Sequence, residues 1–216
     1  MSSLPAVITG DDVHFERDAH AYIDTDGSRC MSVTQAIKIV GAVDYSMVSP
    51  EVLEHAAWRG RMIHQATAVL DIGENLDDYL IPDECLPYIE AYQLFLREIK
   101  FIPDPSWIER PMIVELFHHR IATTPDAIGT IDGVPTVVER KATSAKHPYW
   151  AIQTAGQALA LRAAGIQIRQ RLAVQLLKTG KYRLDPHENA GDFDTFGDIY
   201  RLAAWKLKHN LAKLAI

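Results

Sequence analysis

The chain has 216 residues, of which 48% are hydrophobic and 23% charged, and its formal net charge is −6 at pH 7. This balance is typical of one globular domain and excludes fibrous and low-complexity chains. No apolar run approaches the roughly 18–20 residues of a membrane span, and the N-terminal residues lack the basic and apolar regions of a signal peptide. We therefore expect a cytoplasmic protein that has no membrane partner.

The two cysteines and the acidic balance narrow the class of protein further. Cys30 and Cys85 are too few for a four-cysteine zinc or iron–sulfur site, so we expect reduced thiols and no iron–sulfur cluster. The acidic surplus argues against an extended nucleic-acid clamp, because DNA-binding domains usually carry a basic surplus. Local basic groups can still make weak contacts with phosphates.

The N-terminal part of the chain predicts a β-hairpin. Val13 to Ile23 and Arg29 to Val33 have the composition of strands, and Asp26-Gly27 between them is a strong turn signal. We expect residues 1–48 to form a hairpin elaboration beside the main part of the domain.

A long helix is predicted from Ser49-Pro50-Glu51, which combines an N-cap, a proline in the first turn and an acidic residue near the positive end of the dipole. It should run to about Leu70. One face carries Val52, Ala56, Gly60 and His64 at four-residue intervals, and its small residues predict a close approach to the sheet.

The remaining elements alternate between helical and strand patterns and end with a helix. In chain order they are a helix over Cys85 to Lys100, strands over Trp107 to Phe117, Arg120 to Ile131 and Val134 to Arg140, a helix over Pro148 to Ala164, strands over Ile168 to Leu177 and Lys181 to Leu184, and a helix over Asp192 to Leu214. This order predicts one α/β domain with a mixed sheet, with residues 49–184 as its core and 185–216 as a C-terminal helical part.

The most informative feature is the Asp132-Gly133 turn between two of these strands. If the turn has two residues, the register places Asp126 directly opposite Glu139. Glu139 and Lys141 share one face of their strand, so two carboxylates and an ammonium group should converge. Opposed like charges are destabilising, and a divalent cation between them would remove that cost.

This arrangement suits hydrolysis of a phosphodiester. Carboxylates and water favour Mg²⁺ or Mn²⁺, and Lys141 can orient water or offset charge in the transition state. The alternative is a strand surface on which Glu139 and Lys141 form a salt bridge that contributes little to stability.

Pro125-Asp126 followed by Glu139-x-Lys141 resembles the signature of the PD-(D/E)XK nucleases. Gly60-x-x-x-His64 and Gln153-x-x-x-Gln157 are similar to two helix motifs of the RecB-like branch, which includes lambda-type phage exonucleases. Gln157 stands where that branch has tyrosine. The resemblance spans Ser49 to Leu177.

The resemblance implies a restriction-endonuclease-like core, in which a central mixed β-sheet is flanked by α-helices. It also implies a cation held by His64, Asp126, Glu139 and the backbone carbonyl of Arg140, with Glu115 as a candidate further ligand. Lys141 and Gln153 would act in catalysis beside Asp126 and Glu139. The residues that we expect to contact DNA are Arg59, Arg61, Lys146 and Gln157.

The implied function is that of a divalent-metal-dependent DNA exonuclease acting on linear ends, associated with phage or with recombination, in the cytoplasm of a bacterial or phage-infected cell. Homo-oligomerisation and a single-strand-annealing or recombination partner are candidate associations. Two alternatives stay open, namely a non-catalytic DNA-binding or assembly protein on a degenerate nuclease core, and an endonuclease or ribonuclease using the same site.

Overall fold

A computed structural model describes residues 7–9, 13–16, 21–44 and 46–214. Its elements are β1 (Val7–Thr9), β2 (His14–Glu16), β3 (Ala21–Ile23), β4 (Arg29–Ser32), α1 (Val33–Ile39), α2 (Pro50–Asp71), α3 (Leu86–Ile99), β5 (Ile102–Pro103), β6 (Met112–Leu116), β7 (His119–Thr123), β8 (Ala127–Ile131), β9 (Val134–Lys141), α4 (Tyr149–Ala163), β10 (Gln170–Leu176), β11 (Tyr182–Pro186) and α5 (Gly191–Lys208).

The strands form two sheets, and helices flank them. One sheet has the order β1-β6-β7-β4-β3-β2, and the other has the order β11-β10-β9-β8-β5. In the second sheet β9 and β10 are parallel, whereas β8 pairs with β9 and β10 pairs with β11 in antiparallel fashion. The predicted mixed α/β architecture is therefore confirmed, but the prediction of one central sheet is wrong, because the strands divide between two mixed sheets.

The predicted strand over Arg120 to Ile131 is wrong as a single element. It divides into β7 and β8, which belong to different sheets. Thr124, Pro125 and Asp126 form the break, because proline has no amide to donate to a ladder and holds the preceding residue extended. This break places Asp126 at the entrance of the second sheet.

The N-terminal strand prediction also needs correction. Within Val13 to Ile23 the structure has two short strands, β2 and β3, that pair with each other, and residues 17–20 lie outside the described part of the chain. The hairpin predicted around Asp26-Gly27 is confirmed as β3 and β4. Helix α1 follows directly after β4 and was not predicted. Ser32 caps its start through a capping box with Gln35.

The predicted hairpin register is confirmed. Ile131 pairs with Val134, and the pairing continues outward to Ala127 opposite Val138. Asp132 and Gly133 have φ values of 50° and 75°, as a two-residue turn with both central residues in the left-handed region requires. The pairing ends there, with Asp126 directly before Ala127 and Glu139 directly after Val138.

The second sheet is covered on both faces. Val137 packs in a core with α4 and α5, whereas Val138 packs in a core with α2 and α3. Because side chains alternate along a strand, Glu139 and Lys141 face α4 while Arg140 faces α2 and α3. This alternation determines the partners of all three residues.

Helix α2 has the predicted extent, and Ser49 Oγ accepts from the Val52 amide at its start. The predicted close approach of its small-residue face is wrong. Val52 is 58% exposed, and a Cβ added at Gly60 would meet nothing within 4 Å. The helix is buried only in its second half, at Ile63, Ala66, Thr67 and Asp71. No helix in the described part of the chain has the length and apolar character needed to cross a membrane.

Candidate active site

The site is built around Asp126, which lies between the two sheets and is 5% exposed. The backbone amide of Arg140 donates to Asp126 Oδ2 at 2.6 Å, so the main chain of the neighbouring strand fixes this carboxylate. A hydrogen bond from a main-chain donor holds a carboxylate without the entropy cost of ordering a second side chain.

His64 and Glu109 join Asp126 in a group of metal-binding type. Nδ1 of His64 lies 3.3 Å from Oδ1 of Asp126 and 3.3 Å from Oε1 of Glu109. One potential ligand atom from each of the three residues lies within 4.8 Å of the others. An imidazole nitrogen with two carboxylate oxygens is a set of donors that could hold a metal ion.

The charges in this group change one another's pKa values. Burial lowers the pKa of His64, but the carboxylates of Asp126 and Glu109 outweigh burial and raise that pKa to about 10. Burial would raise the pKa of Asp126, yet His64, Arg140 and Lys141 hold it well below its usual range. Without a cation, His64 is thus protonated and supplies the positive charge among the acids.

Glu139 forms a second group on the α4 face. Its Oε1 accepts from Nζ of Lys141 at 2.8 Å and from Nε2 of Gln153, and its Oε2 accepts from Nε2 of Gln157 at 2.7 Å. Oε1 of Gln153 also accepts from Lys141 at 2.9 Å. Three donors on one carboxylate hold it in a single orientation.

The pKa of Glu139 moves in the opposite direction to that of Asp126. Burial and the negative charge of Asp126 raise the pKa of Glu139, although Lys141 and Gln157 partly offset the rise. Burial lowers the pKa of Lys141, but Glu139 and Asp126 outweigh it, so this ammonium stays charged. Two neighbouring carboxyl groups with pKa values pushed apart are a common feature of sites for acid–base chemistry.

Behind these two groups lies the guanidinium of Arg140, with a side chain that is 0% exposed. Nη1 donates to Asp71 Oδ2 at 2.8 Å, and Nη2 donates to Glu109 Oε1 at 2.8 Å and to the carbonyl of Asp126 at 2.9 Å. The hydroxyl of Tyr92 donates to the other oxygen of Asp71 at 2.6 Å. This network joins α2, α3, the segment before β6 and the hairpin strands.

The structure divides the residues predicted to act in catalysis between two groups, and the group of metal-binding type found among the described residues does not include Glu139. His64 and Asp126 lie in one group, and Glu139, Lys141 and Gln153 lie in the other. The carbonyl of Arg140 belongs to the strand segment between Glu139 and Lys141, and its role as a ligand stays a prediction.

Two predicted assignments require correction. Glu115 is exposed and lies in β6 of the other sheet, opposite Arg120, so it does not reach the group around Asp126. Gln157 is 1% exposed and holds Glu139, so it is not placed to contact DNA directly. The glutamate that joins the group is Glu109, not Glu115. Glu109 lies outside any strand and has a left-handed backbone with φ 47°.

A helix-face pattern in the sequence could have identified Asp71, but no pattern identifies Glu109. Asp71 follows His64 by seven residues, which puts both on one face of a helix. Glu109 lies outside regular structure and adopts a left-handed backbone although it is not a glycine. No pattern in the sequence predicts that conformation.

The three basic residues predicted to contact DNA differ in their surroundings. Arg61 is exposed on α2. Arg59 lies over the ring of Tyr88 at 5.4 Å and 4.0 Å from Glu84, and Lys146 is paired with Asp185. Contact with DNA by Arg59 or Lys146 would therefore compete with an internal partner.

Comparison with known proteins adds no assignment. No protein-family model matches the chain, and no curated protein matches it in sequence at a significant level.

Proposed function

We propose that this chain is a divalent-metal-dependent deoxyribonuclease, an exonuclease on a restriction-endonuclease-like core. The observation that supports the proposal is that Asp126 and Glu139, next to the last paired residues of the hairpin, are both buried, with His64 beside Asp126 and Lys141 beside Glu139. The preference for DNA and for chain ends comes from the resemblance of the helix motifs at Gly60 to His64 and at Gln153 to the RecB-like branch.

A cation would be held by His64, Glu109 and Asp126, with Glu139 and the Arg140 carbonyl as predicted ligands beside them. The donor set supports this, because one imidazole nitrogen and carboxylate oxygens converge at a partly exposed position. When bound, such an ion polarises a phosphate and lowers the pKa of a coordinated water molecule.

The residues facing α4 would accept the proton of the attacking water and stabilise the negative charge that develops on the phosphoryl group. Lys141 stays protonated, so it can donate to a phosphoryl oxygen or orient water but cannot act as a base. Where Glu139 is not coordinated to the cation, its carboxylate, with its raised pKa, can accept a proton from water as the oxygen attacks phosphorus. The P–O bond to the leaving group then breaks, and the leaving oxygen takes a proton from solvent. Gln153 holds both residues in place and would preserve their relative positions during the reaction.

Low sequence specificity is part of the proposal. Contacts to phosphate carry no information about the base, and the exposed arginine of α2, Arg61, is suited to such contacts. The acidic net charge fits an enzyme with short-lived contacts better than one with an extended clamp.

The direct test is degradation of end-labelled linear DNA with Mg²⁺ or Mn²⁺, compared with the same reaction in chelator. We expect Lys141→Ala to slow the reaction about 100-fold or more, because it removes a charged donor at the reacting centre. Lys178→Ala, at an exposed lysine in the turn after β10, is the matched control and should retain full activity.

The alternatives give different results in the same assay. Equal degradation by wild type and Lys141→Ala would overturn the assignment of the site. DNA binding without any cleavage would favour the non-catalytic assembly protein. Nicking of closed circular DNA would identify an endonuclease, and preferential cleavage of RNA would identify a ribonuclease.

A further inference from the structure

Arg140 is a buried cation whose ion pairs are not by themselves an efficient source of stability. Its side chain and that of Asp71 are both 0% exposed, and a buried ion pair of this kind is often no more stable than a well-packed apolar pair. A guanidinium in such a place usually has a geometric role, because it offers several donors in a rigid plane.

The acceptors of Arg140 lie on separate parts of the chain. Asp71 is on α2, seven residues after His64, and Glu109 is in the segment before β6. The third acceptor is the carbonyl of Asp126, at the start of β8. Each of these segments carries one member of the His64, Glu109 and Asp126 group.

We infer that Arg140 is a positioning residue for the cation site, which fixes His64, Glu109 and Asp126 relative to one another from inside the protein. This inference rests on the proposed function, because it assigns a role at the metal site proposed there. Arg140 acts through the ligands and is itself excluded from substrate, since its side chain is fully buried.

The contacts show how such positioning would work at Glu109. Arg140 and His64 both approach Oε1 of this carboxylate, at 2.8 and 3.3 Å. These two contacts to one oxygen restrict the orientation of the Glu109 carboxylate. The guanidinium charge also offsets part of the negative charge of Asp71, Glu109 and Asp126, which limits their mutual repulsion before a cation binds.

The chain offers a matched control for Arg140. Arg171 lies in β10 of the same sheet, is 4% exposed, and donates to Asp192 at 2.8 Å. Its other acceptors are main-chain carbonyls of Ala151 and Asn189, which lie outside the cation group. Substituting either arginine removes a buried ion pair, but only Arg140 touches the proposed ligands.

The experiment is a calorimetric titration of Mn²⁺ into the full chain. We expect Arg140→Lys to weaken Mn²⁺ binding about 10–100-fold, the usual effect of losing a group that orients metal ligands. Arg171→Lys should stay within about 3-fold of wild type. If Arg140 acts through Glu109, Arg140→Lys should weaken binding much less in a Glu109→Gln background than in wild type.

The titrations distinguish a failure of the positioning role of Arg140 from a failure of the proposed metal site. If wild type binds Mn²⁺ and Asp126→Asn abolishes that binding, but Arg140→Lys binds like Arg171→Lys, the positioning role is overturned and the metal site stands. If wild type binds no Mn²⁺, the proposed metal site itself fails.

A second variant covers a failure of Arg140→Lys to fold. The double variant Arg140→Met with Asp71→Leu removes both buried charges together, a replacement that is often tolerated. Mn²⁺ binding by this folded protein at wild-type strength would overturn the inference, and binding weakened 10-fold or more would support it.

Discussion

The carboxylates of Glu109 and Asp126 share one partner, since Nδ1 of His64 lies 3.3 Å from an oxygen of each. The main chains of these two residues are also joined, because the amide of Glu109 donates to the carbonyl of Asp126 at 3.2 Å. An irregular segment is thereby attached to the start of a strand of the second sheet. The two acids are brought together by the backbone and do not depend on a cation to meet.

We predict that Glu109→Gln weakens Mn²⁺ binding about 10-fold or more, because it removes a charged ligand while keeping the shape of the side chain. Glu115→Gln is the control, since Glu115 is an exposed glutamate in the other sheet. Calorimetric titration of both variants measures the difference. A larger loss in Glu115→Gln than in Glu109→Gln would contradict the site described above.

The contrast between these two glutamates shows what the sequence could and could not predict. The hairpin register followed from Asp132-Gly133, because a two-residue turn leaves one way to pair the strands. That register predicted the pairing of β8 with β9 correctly from Ile131 opposite Val134 to Ala127 opposite Val138, whereas a site shared by Asp126 and Glu139 stays a prediction. Glu109 could not be placed, because its position depends on a left-handed backbone and on long-range contacts to His64 and Arg140.

The division of the segment Arg120 to Ile131 into two strands was partly predictable from the sequence. Pro125 marked a break within Arg120 to Ile131, yet local pattern could not show that the two halves enter different sheets. The turn between β6 and β7 was harder still, because Phe117 and His118 both adopt positive φ without a glycine or asparagine. Tertiary packing, including the contact of Phe117 with Phe196, accompanies that conformation.

A comparison of two glycines tests the packing of the second sheet. A Cβ at Gly129 would lie 2.1 Å from the carbonyl oxygen of Ile102, so we predict that Gly129→Ala lowers the free energy of unfolding by about 2–4 kcal/mol. Gly60→Ala meets open space within a helix and should raise it by about 0.5–1 kcal/mol. Urea denaturation measures both changes. A destabilised Gly60→Ala would show that this position needs its glycine after all.

The protonated His64 should make the metal-free protein less stable as the solution becomes alkaline. The pKa of His64 is raised to about 10 in the folded protein against 6.5 for the free side chain, so its stabilisation is fully present below about pH 6.5. That stabilisation is lost as pH rises toward 10. We predict that the stability advantage of wild type over His64→Asn falls by about 1–3 kcal/mol across this range, after allowance for partial solvent exposure.

Urea denaturation in chelator at pH 6, 8 and 10 measures this difference. An advantage that stays constant, or that grows with pH, would show that His64 is not held as a cation by Asp126 and Glu109.

Gln157 provides a test of the group around Glu139. Gln157→Met removes the 2.7 Å hydrogen bond to Glu139 and also removes Oε1, a buried oxygen without a hydrogen-bond partner among the described residues. These effects oppose each other, so we predict a change in the free energy of unfolding within about 1.5 kcal/mol. The rate of DNA cleavage should fall about 10-fold, because Glu139 loses one of the three donors that orient it. An unchanged cleavage rate would show that Gln157 has no role in the reaction.

The central claim is that a divalent cation binds at Asp126, and a crystal structure with Mn²⁺ and anomalous diffraction tests it most directly. We predict an anomalous peak within about 2.0–2.4 Å of a carboxylate oxygen of Asp126, with His64 or Glu109 also in contact. Peaks confined to other parts of the molecule, or none at a saturating concentration of Mn²⁺, would contradict the account.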